Sequence, residues 1–107
     1  PDSMRVAIEN FAAFPGDKKM VLLGDMFELG EFSKREHEKV VSLLKEKNLG
    51  EACLVGEHFS VTDHSGFHWF PNTGECRKYL ETLGPRGYTI LIKGSRSMKM
   101  ETLAEVL

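Results

Sequence analysis

The stretch YTILIKGSRSMKME, residues 88–101, decides how the chain is read. Thr89 to Ile92 form a short apolar run of the kind buried in a parallel sheet, and Gly94 turns the chain into a polar segment. From Ser97 to Leu107 the residues read as the last helix. Strand, polar turn and helix in that order make one unit of an alternating α/β fold. Within the turn, the backbone donors of a helix start, the Ser95 hydroxyl and the cations Lys93 and Arg96 fall close together. That set suits a carboxylate or a phosphate. Gly and Ser at such a turn also serve simply to satisfy the first amides of a helix, and from the residues alone both uses stay open.

A second strand exit of the same kind lies near the start of the chain. In MVLLGDMFELGEF, residues 20–32, the apolar run MVLLG reads as a strand, and Asp25 follows it directly, with Glu28 and Glu31 further along the loop. Carboxylates at a strand exit can bind Mg, act as bases or hold an ammonium group; a solvated acidic loop is the plain alternative. Around these two stretches the chain alternates. Met4, Ala7, Ile8, Phe11 and Ala12 mark a helix to about Phe14, with Asp2 or Ser3 able to cap it. Ser33 and Glu36 form a capping-box pattern ahead of a helix striped by Val40, Val41, Leu43 and Leu44, and Asn48 to Gly50 end it. His37 falls on that apolar stripe and reads as a partly buried structural histidine.

EACLVG is then a strand, EHFSVT a helical turn, and GFHWF an edge strand carrying Trp69. PNTGECRKYLETLGP is a helix capped by Asn72 and closed by Gly84 and Pro85. The expected fold is a Rossmann-like three-layer α/β domain, a mostly parallel sheet flanked by helices, filling residues 1–107. Ligands of such sheets sit beyond the carboxyl ends of the strands, so the two polar exits should share one edge.

Composition removes several alternatives. Fourteen basic against sixteen acidic residues, with no basic cluster, argue against a nucleic-acid partner. No apolar run approaches the roughly 20 residues needed to span a bilayer, so the chain reads as soluble, with no membrane insertion. Cys53 and Cys76 belong to no CxxC pair, which argues for two buried thiols rather than zinc or redox chemistry. His58, His64 and His68 lack ligand spacing and read as surface residues, so no metal site is expected. Met4, Met20, Met26, Met98 and Met100 are spread over separate elements, as core-filling methionines are. GSRSMKM lacks the second glycine and the Lys-Ser/Thr ending of a GxxxxGK[ST] nucleotide loop, and no other segment supplies it. The opening PDSMRVAIENF has no initiator Met, which points to a piece of a longer protein.

PDSMRVAIENF, VLLGDMFELGEFSKREHEKV and ILIKGSRSMKMETL, taken in order, closely resemble the C-terminal domain of the Mur ligase family. Within that family the paired LGDMxELG and KGSRxMxME signatures resemble the members that join D-alanyl-D-alanine to UDP-muramoyl tripeptide. The resemblance implies a bacterial, cytoplasmic, ATP-dependent ligase of peptidoglycan synthesis that works through an acyl phosphate. It implies that ATP and Mg are bound mainly by a central domain and the UDP portion by an N-terminal domain, neither present in residues 1–107. The domain alone is then expected to be inactive, with no catalytic residue of its own. Its partners would be its own central and N-terminal domains, over which it closes as a lid. In the family an Asp-x-Tyr-Asn-Ala-Asn segment near the nucleotide precedes the counterpart of Pro1, which makes Pro1 and Asp2 nucleotide-proximal.

The same resemblance makes Lys93, Ser95 and Arg96 candidates for the dipeptide carboxylate, and Asp25 or Glu28 for its amine or for ordering the loop. His37 and Met26 would support that loop from behind. Two rivals remain: a sibling ligase that adds another amino acid, and a free-standing flavodoxin-like module that binds an anion or regulates.

Overall fold

The computed structural model describes residues 2–107. The elements are helix α1 (Asp2–Ala13), strand β1 (Lys19–Gly24), a 3-10 turn (Gly30–Phe32), α2 (Ser33–Lys47), β2 (Glu51–Val55), the short α3 (Glu57–Ser60), β3 (His68–Phe70), α4 (Thr73–Leu83), β4 (Thr89–Lys93) and two further 3-10 segments, Arg96–Met98 and Met100–Val106. The sheet runs β3-β2-β1-β4, and all of its pairings are parallel. The expected mostly parallel sheet is therefore wholly parallel among the described residues.

From β1 the chain steps outward through β2 to β3, then crosses back to place β4 on the other side of β1. This reversal makes the β1/β4 junction the switch point of the sheet, where the crossing connections diverge and leave a crevice at the carboxyl ends. Leu23 lies in register with Lys93, so the two polar exits leave the sheet side by side, as the sequence predicts.

Alternation along β1 divides the core into two. Val21 and Leu23 face Met4, Ile8 and Phe11 of α1 and Val40, Val41 and Leu44 of α2. Met20 and Leu22 face the other way, toward Cys76 and Leu80 of α4 and toward Met100 and Leu103. A strand covered on both faces needs apolar residues at every position, which is why MVLLG reads as an unbroken run. Truncating Leu22, fully buried, to Ala costs about 2–5 kcal/mol by the usual cavity scale. Cys53 and Cys76 meet in this second core as free thiols. Their mutual hydrogen bond and burial push the Cys53 thiol far up, so it stays protonated.

Three helix boundaries form as read. Asn72 accepts from the Glu75 N–H at 2.9 Å, and Gly84 closes α4 in the left-handed region. Asn48 closes α2 in the same conformation. Two others differ. The Ser33–Glu36 capping box does not form, because the 3-10 turn runs straight into α2 and the Ser33 N–H already donates to Gly30 O.

The final segment is not one helix from Ser97, either: Lys99 sits at φ 54, between two 3-10 runs. Its apolar residues Met100, Leu103 and Val106 recur every third position and all meet the second core, and residues three apart eclipse one another in a 3-10 helix. Met100 also packs over Gly24 and Gly94; a Cβ on Gly24 would stand 2.8 Å from Met100 Cγ. That contact draws the segment down onto the sheet.

Candidate functional site

The first three backbone amides after β1 are each held by a different element. Asp25 N–H donates to Val55 O at the end of β2 at 3.0 Å. Met26 N–H donates to His37 Nε2 on α2 at 3.0 Å. Phe27 N–H donates to Ser95 Oγ beyond β4 at 2.8 Å, and Ser95 N–H returns to Asp25 O at 3.0 Å. The two strand exits are thus cross-tied at the switch point.

The carboxylate of Asp25 is turned inward and is only 2% exposed. Its oxygens accept from the His58 and Phe59 N–H groups at 3.0 and 3.1 Å. They cap the first turn of α3 from more than thirty residues away, a strong charge-assisted arrangement. Gly56 makes room for this: it lies at φ 119, and a Cβ there would overlap the Asp25 carboxylate. The Asp25 carboxylate thereby ties the exit of β1 to α3.

His37 is fully buried behind the loop. Because a backbone N–H can only donate, Nε2 must accept from Met26, which leaves the proton on Nδ1, where Ser33 O accepts it at 2.7 Å. The imidazole is thereby the neutral Nδ1–H tautomer. Burial lowers its pKa below the ordinary histidine value, against the opposing effects of Ser33 O and of Asp25, whose Oδ1 lies 3.9 Å from Nε2. His58 is half-buried rather than on the surface as expected: its ring stacks on His37 at 5.2 Å, and its Nδ1 lies 2.9 Å from Ser33 Oγ. His64 is also half-buried, against Trp69, while His68 is exposed.

In front of this frame is an open groove of about 630 Å³ lined by Phe27, Glu28, Ser95, Arg96, Ser97 and Lys99. Glu28 is exposed and held at φ 65, and Arg96 and Lys99 are exposed. Among the described residues, none of the three takes part in an ion pair. The groove thus presents one carboxylate, two cations, the rim of an aromatic ring and two hydroxyls. Ser95 Oγ accepts from Phe27, so its hydroxyl proton is left to donate.

Lys93 is separated from Arg96: it lines a smaller hollow with Ser3, Met26, Leu29 and Gly94, on the α1 side of the Phe27–Ser95 tie. The segment after Ser95 is a three-residue 3-10 turn rather than the start of the expected helix, and its Met98 and Lys99 N–H groups bond back to Ser95 O and Arg96 O. Asp2 lies in the first turn of α1, beside Glu36 and Lys39 of α2. Pro1, its companion in the nucleotide-proximal reading, falls outside the described residues.

Sequence reasoning did not pick out Lys99, Ser97, Phe27, His58 or Ser33. Lys99 enters the groove only because of its left-handed backbone, and the single hint of it was the three-residue apolar spacing beyond. The contact between His58 and Ser33 carried no signal, since the two lie 25 residues apart along the chain.

Among the described residues the sheet is all parallel with a charged groove at its switch point, the open α/β class in which ligand crevices lie beyond the carboxyl ends of the strands. The chain is a member of the Mur ligase family: the family model for the Mur ligase, glutamate ligase domain matches residues 1–96. It is 30% identical over 110 residues to a UDP-N-acetylmuramoyl-tripeptide--D-alanyl-D-alanine ligase of Rickettsia prowazekii, covering 98% of this chain and 24% of that protein. It is 33% identical to the enzyme of the same name from Escherichia coli K12, over 98% of this chain and 24% of the relative. Among solved structures, MurF from Acinetobacter baumannii superposes with a TM-score of 0.83 at 32% identity, over 98% of this chain and 24% of that one. MurF ligase from Thermotoga maritima, solved in complex with ADP, gives 0.79 at 28% identity, over 99% and 25%. The chain thus spans about a quarter of the length of the relatives it matches.

Proposed function

We propose that this chain is the C-terminal lid of an ATP-dependent ligase that adds D-alanyl-D-alanine to UDP-muramoyl tripeptide, and that its groove receives the dipeptide. One observation carries the reading: the cross-tied exits of β1 and β4 place Glu28, Ser95, Arg96 and Lys99 on one open groove, with no ion pair among the described residues using up their charges. A dipeptide in solution is a zwitterion, with a carboxylate for Arg96, Lys99 and the Ser95 hydroxyl and an amine for Glu28. Lys93, on the far side of the tie, reaches the same edge of the sheet from the α1 face and is assigned to the contact with the rest of the ligase. Met26 packs in the core and sets the loop from below.

Among the described residues no three His, Cys, Asp or Glu side chains gather where a metal ion fits, and the Asp25 carboxylate is occupied by α3. No nucleotide step is assigned to this domain. ATP and Mg belong to the central domain of the longer protein, the UDP portion to its N-terminal domain, and the site is completed when the lid closes. The setting is the bacterial cytoplasm, and among the described residues no helix is long and apolar enough to cross a membrane.

The test is steady-state kinetics of the full-length ligase carrying Arg96→Ala. The KM for D-alanyl-D-alanine should rise about tenfold or more, the loss of one charge-assisted hydrogen bond, while the KM for ATP stays within about twofold. Unchanged KM values for both substrates would sink the dipeptide role.

A further inference from the structure

The groove reading explains the side chains that face outward and leaves His37 unused. His37 is a titratable group with no exposure, at the back of the loop that carries Glu28. Its two ring nitrogens have opposite duties that a single protonation state satisfies: Nδ1–H donates to Ser33 O and Nε2 accepts from Met26 N–H. The next amide in the chain, Phe27 N–H, makes the tie to Ser95. The imidazole bond therefore sets the backbone one residue before the contact that joins the two halves of the groove and two residues before Glu28.

We propose that His37, as its neutral Nδ1–H tautomer, is a positioning residue for the acceptor groove, and that protonating it releases the loop and weakens binding of the acceptor. The inference rests on the groove being the dipeptide site. An imidazolium carries N–H on both nitrogens, so Nε2–H would point at Met26 N–H and the bond would become a repulsion. The groups facing the ring come from three elements. They are the Asp25 carboxylate from the exit of β1, the stacked His58 ring and the edge of Phe59 from α3, and Glu36 with Ser33 from its own helix.

Ser33 O, then Asp25 and Glu36, favour a proton on the ring, but the Asp25 oxygens are engaged by the His58 and Phe59 amides. Burial and His58 act the other way, and the balance favours the neutral ring. The loop is thus ordered at neutral pH and loosened in acid.

The test has two arms. In the 107-residue chain, ¹⁵N–¹H correlation spectra of the histidine rings at about pH 8 should show His37 protonated at Nδ1 alone, and Met26 N–H should exchange slowly until the ring titrates on the acid side of a free histidine. Nε2–H at neutral pH overturns the proposal. In the full-length ligase, His37→Phe should raise the KM for D-alanyl-D-alanine about fivefold to tenfold at about pH 8, leaving the KM for ATP within about twofold. His37→Gln, whose side-chain oxygen can reach the Met26 amide, should restore most of the affinity.

The ratio of the His37→Phe KM to the wild-type KM should shrink toward one as the pH falls. The dipeptide's own amine titrates equally for both proteins and cancels in that ratio. A ratio independent of pH, or KM values for ATP and dipeptide that rise together, overturns the positioning role. A flat ratio beside a raised KM in Arg96→Ala removes His37 alone, whereas Arg96→Ala without effect removes the groove reading and this inference with it.

Discussion

The exits of β1 and β4 lie side by side in the sheet, yet they are built in opposite ways. After β1, three consecutive amides are tied to β2, α2 and the neighbouring turn, and the carboxylate of Asp25 faces inward to cap α3. After β4, Ser95 is tied to the first exit by its N–H and its hydroxyl oxygen and Met98 O accepts from Thr73 of α4, while the side chains of Arg96 and Lys99 are exposed and line the groove. A charged residue beside a strand exit therefore does not by itself mark a ligand contact. The first exit is mainly a frame that adds Glu28 to the groove, and the second adds the cations Arg96 and Lys99. Burial decides between the two: Asp25 has lost its water and must be satisfied by protein donors, while Arg96 keeps its water until a ligand replaces it.

The sharpest way to break this contrast is to remove the frame. Asp25→Ala leaves the His58 and Phe59 N–H groups without their acceptor, at about 1–3 kcal/mol for each buried donor, and should lower the denaturation midpoint by an amount that urea unfolding measures easily. A midpoint unmoved by Asp25→Ala would end the distinction between frame and groove. Arg96→Ala should do the reverse: stability within about 0.5 kcal/mol of the parent by the same measurement, with its cost appearing only in the KM for the dipeptide.

A third comparison uses pH. The folded pKa of His37 lies below its unfolded value near 6.5, so the unfolded chain binds the proton first. The stability contributed by the neutral ring is complete above that unfolded value and is lost as the pH falls through the lowered folded one. His37→Phe should remove this part of the pH dependence, which paired unfolding curves at neutral and mildly acidic pH will show.

The smallest effect belongs to Lys99→Gly. Relief of a left-handed non-glycine residue, less the extra freedom of the unfolded glycine, should leave a gain of about 0.5 kcal/mol by thermal or urea unfolding. The same variant removes one cation from the groove, so weaker dipeptide binding beside greater stability would separate framing from contact within one residue.

How much of this was legible in the sequence varied with the range of the interactions concerned. The strands were, because a run such as MVLLG is covered on both faces and shows it. The Asn72 cap and the Gly84 closure were, because their hydrogen bonds span three or four residues. The Ser33–Glu36 box misled for the same reason in reverse: the local pattern was complete, but a 3-10 turn beyond its edge had already satisfied the amide. The last helix was read as one element from Ser97, whereas Lys99 in the left-handed region divides it into two 3-10 runs.

By itself the sequence determined the alternating α/β order, the parallel sheet, the family and the two polar exits, since each depends on neighbouring residues or on a run of one polarity. Only the tertiary structure decided which charge at those exits faces inward. It joined Asp25 to an α3 more than thirty residues away, set His37 behind Met26, parted Lys93 from Arg96 and brought Lys99 into the groove. Those outcomes depend on which amides lack a partner once the strands are packed, a quantity that exists only in the folded chain.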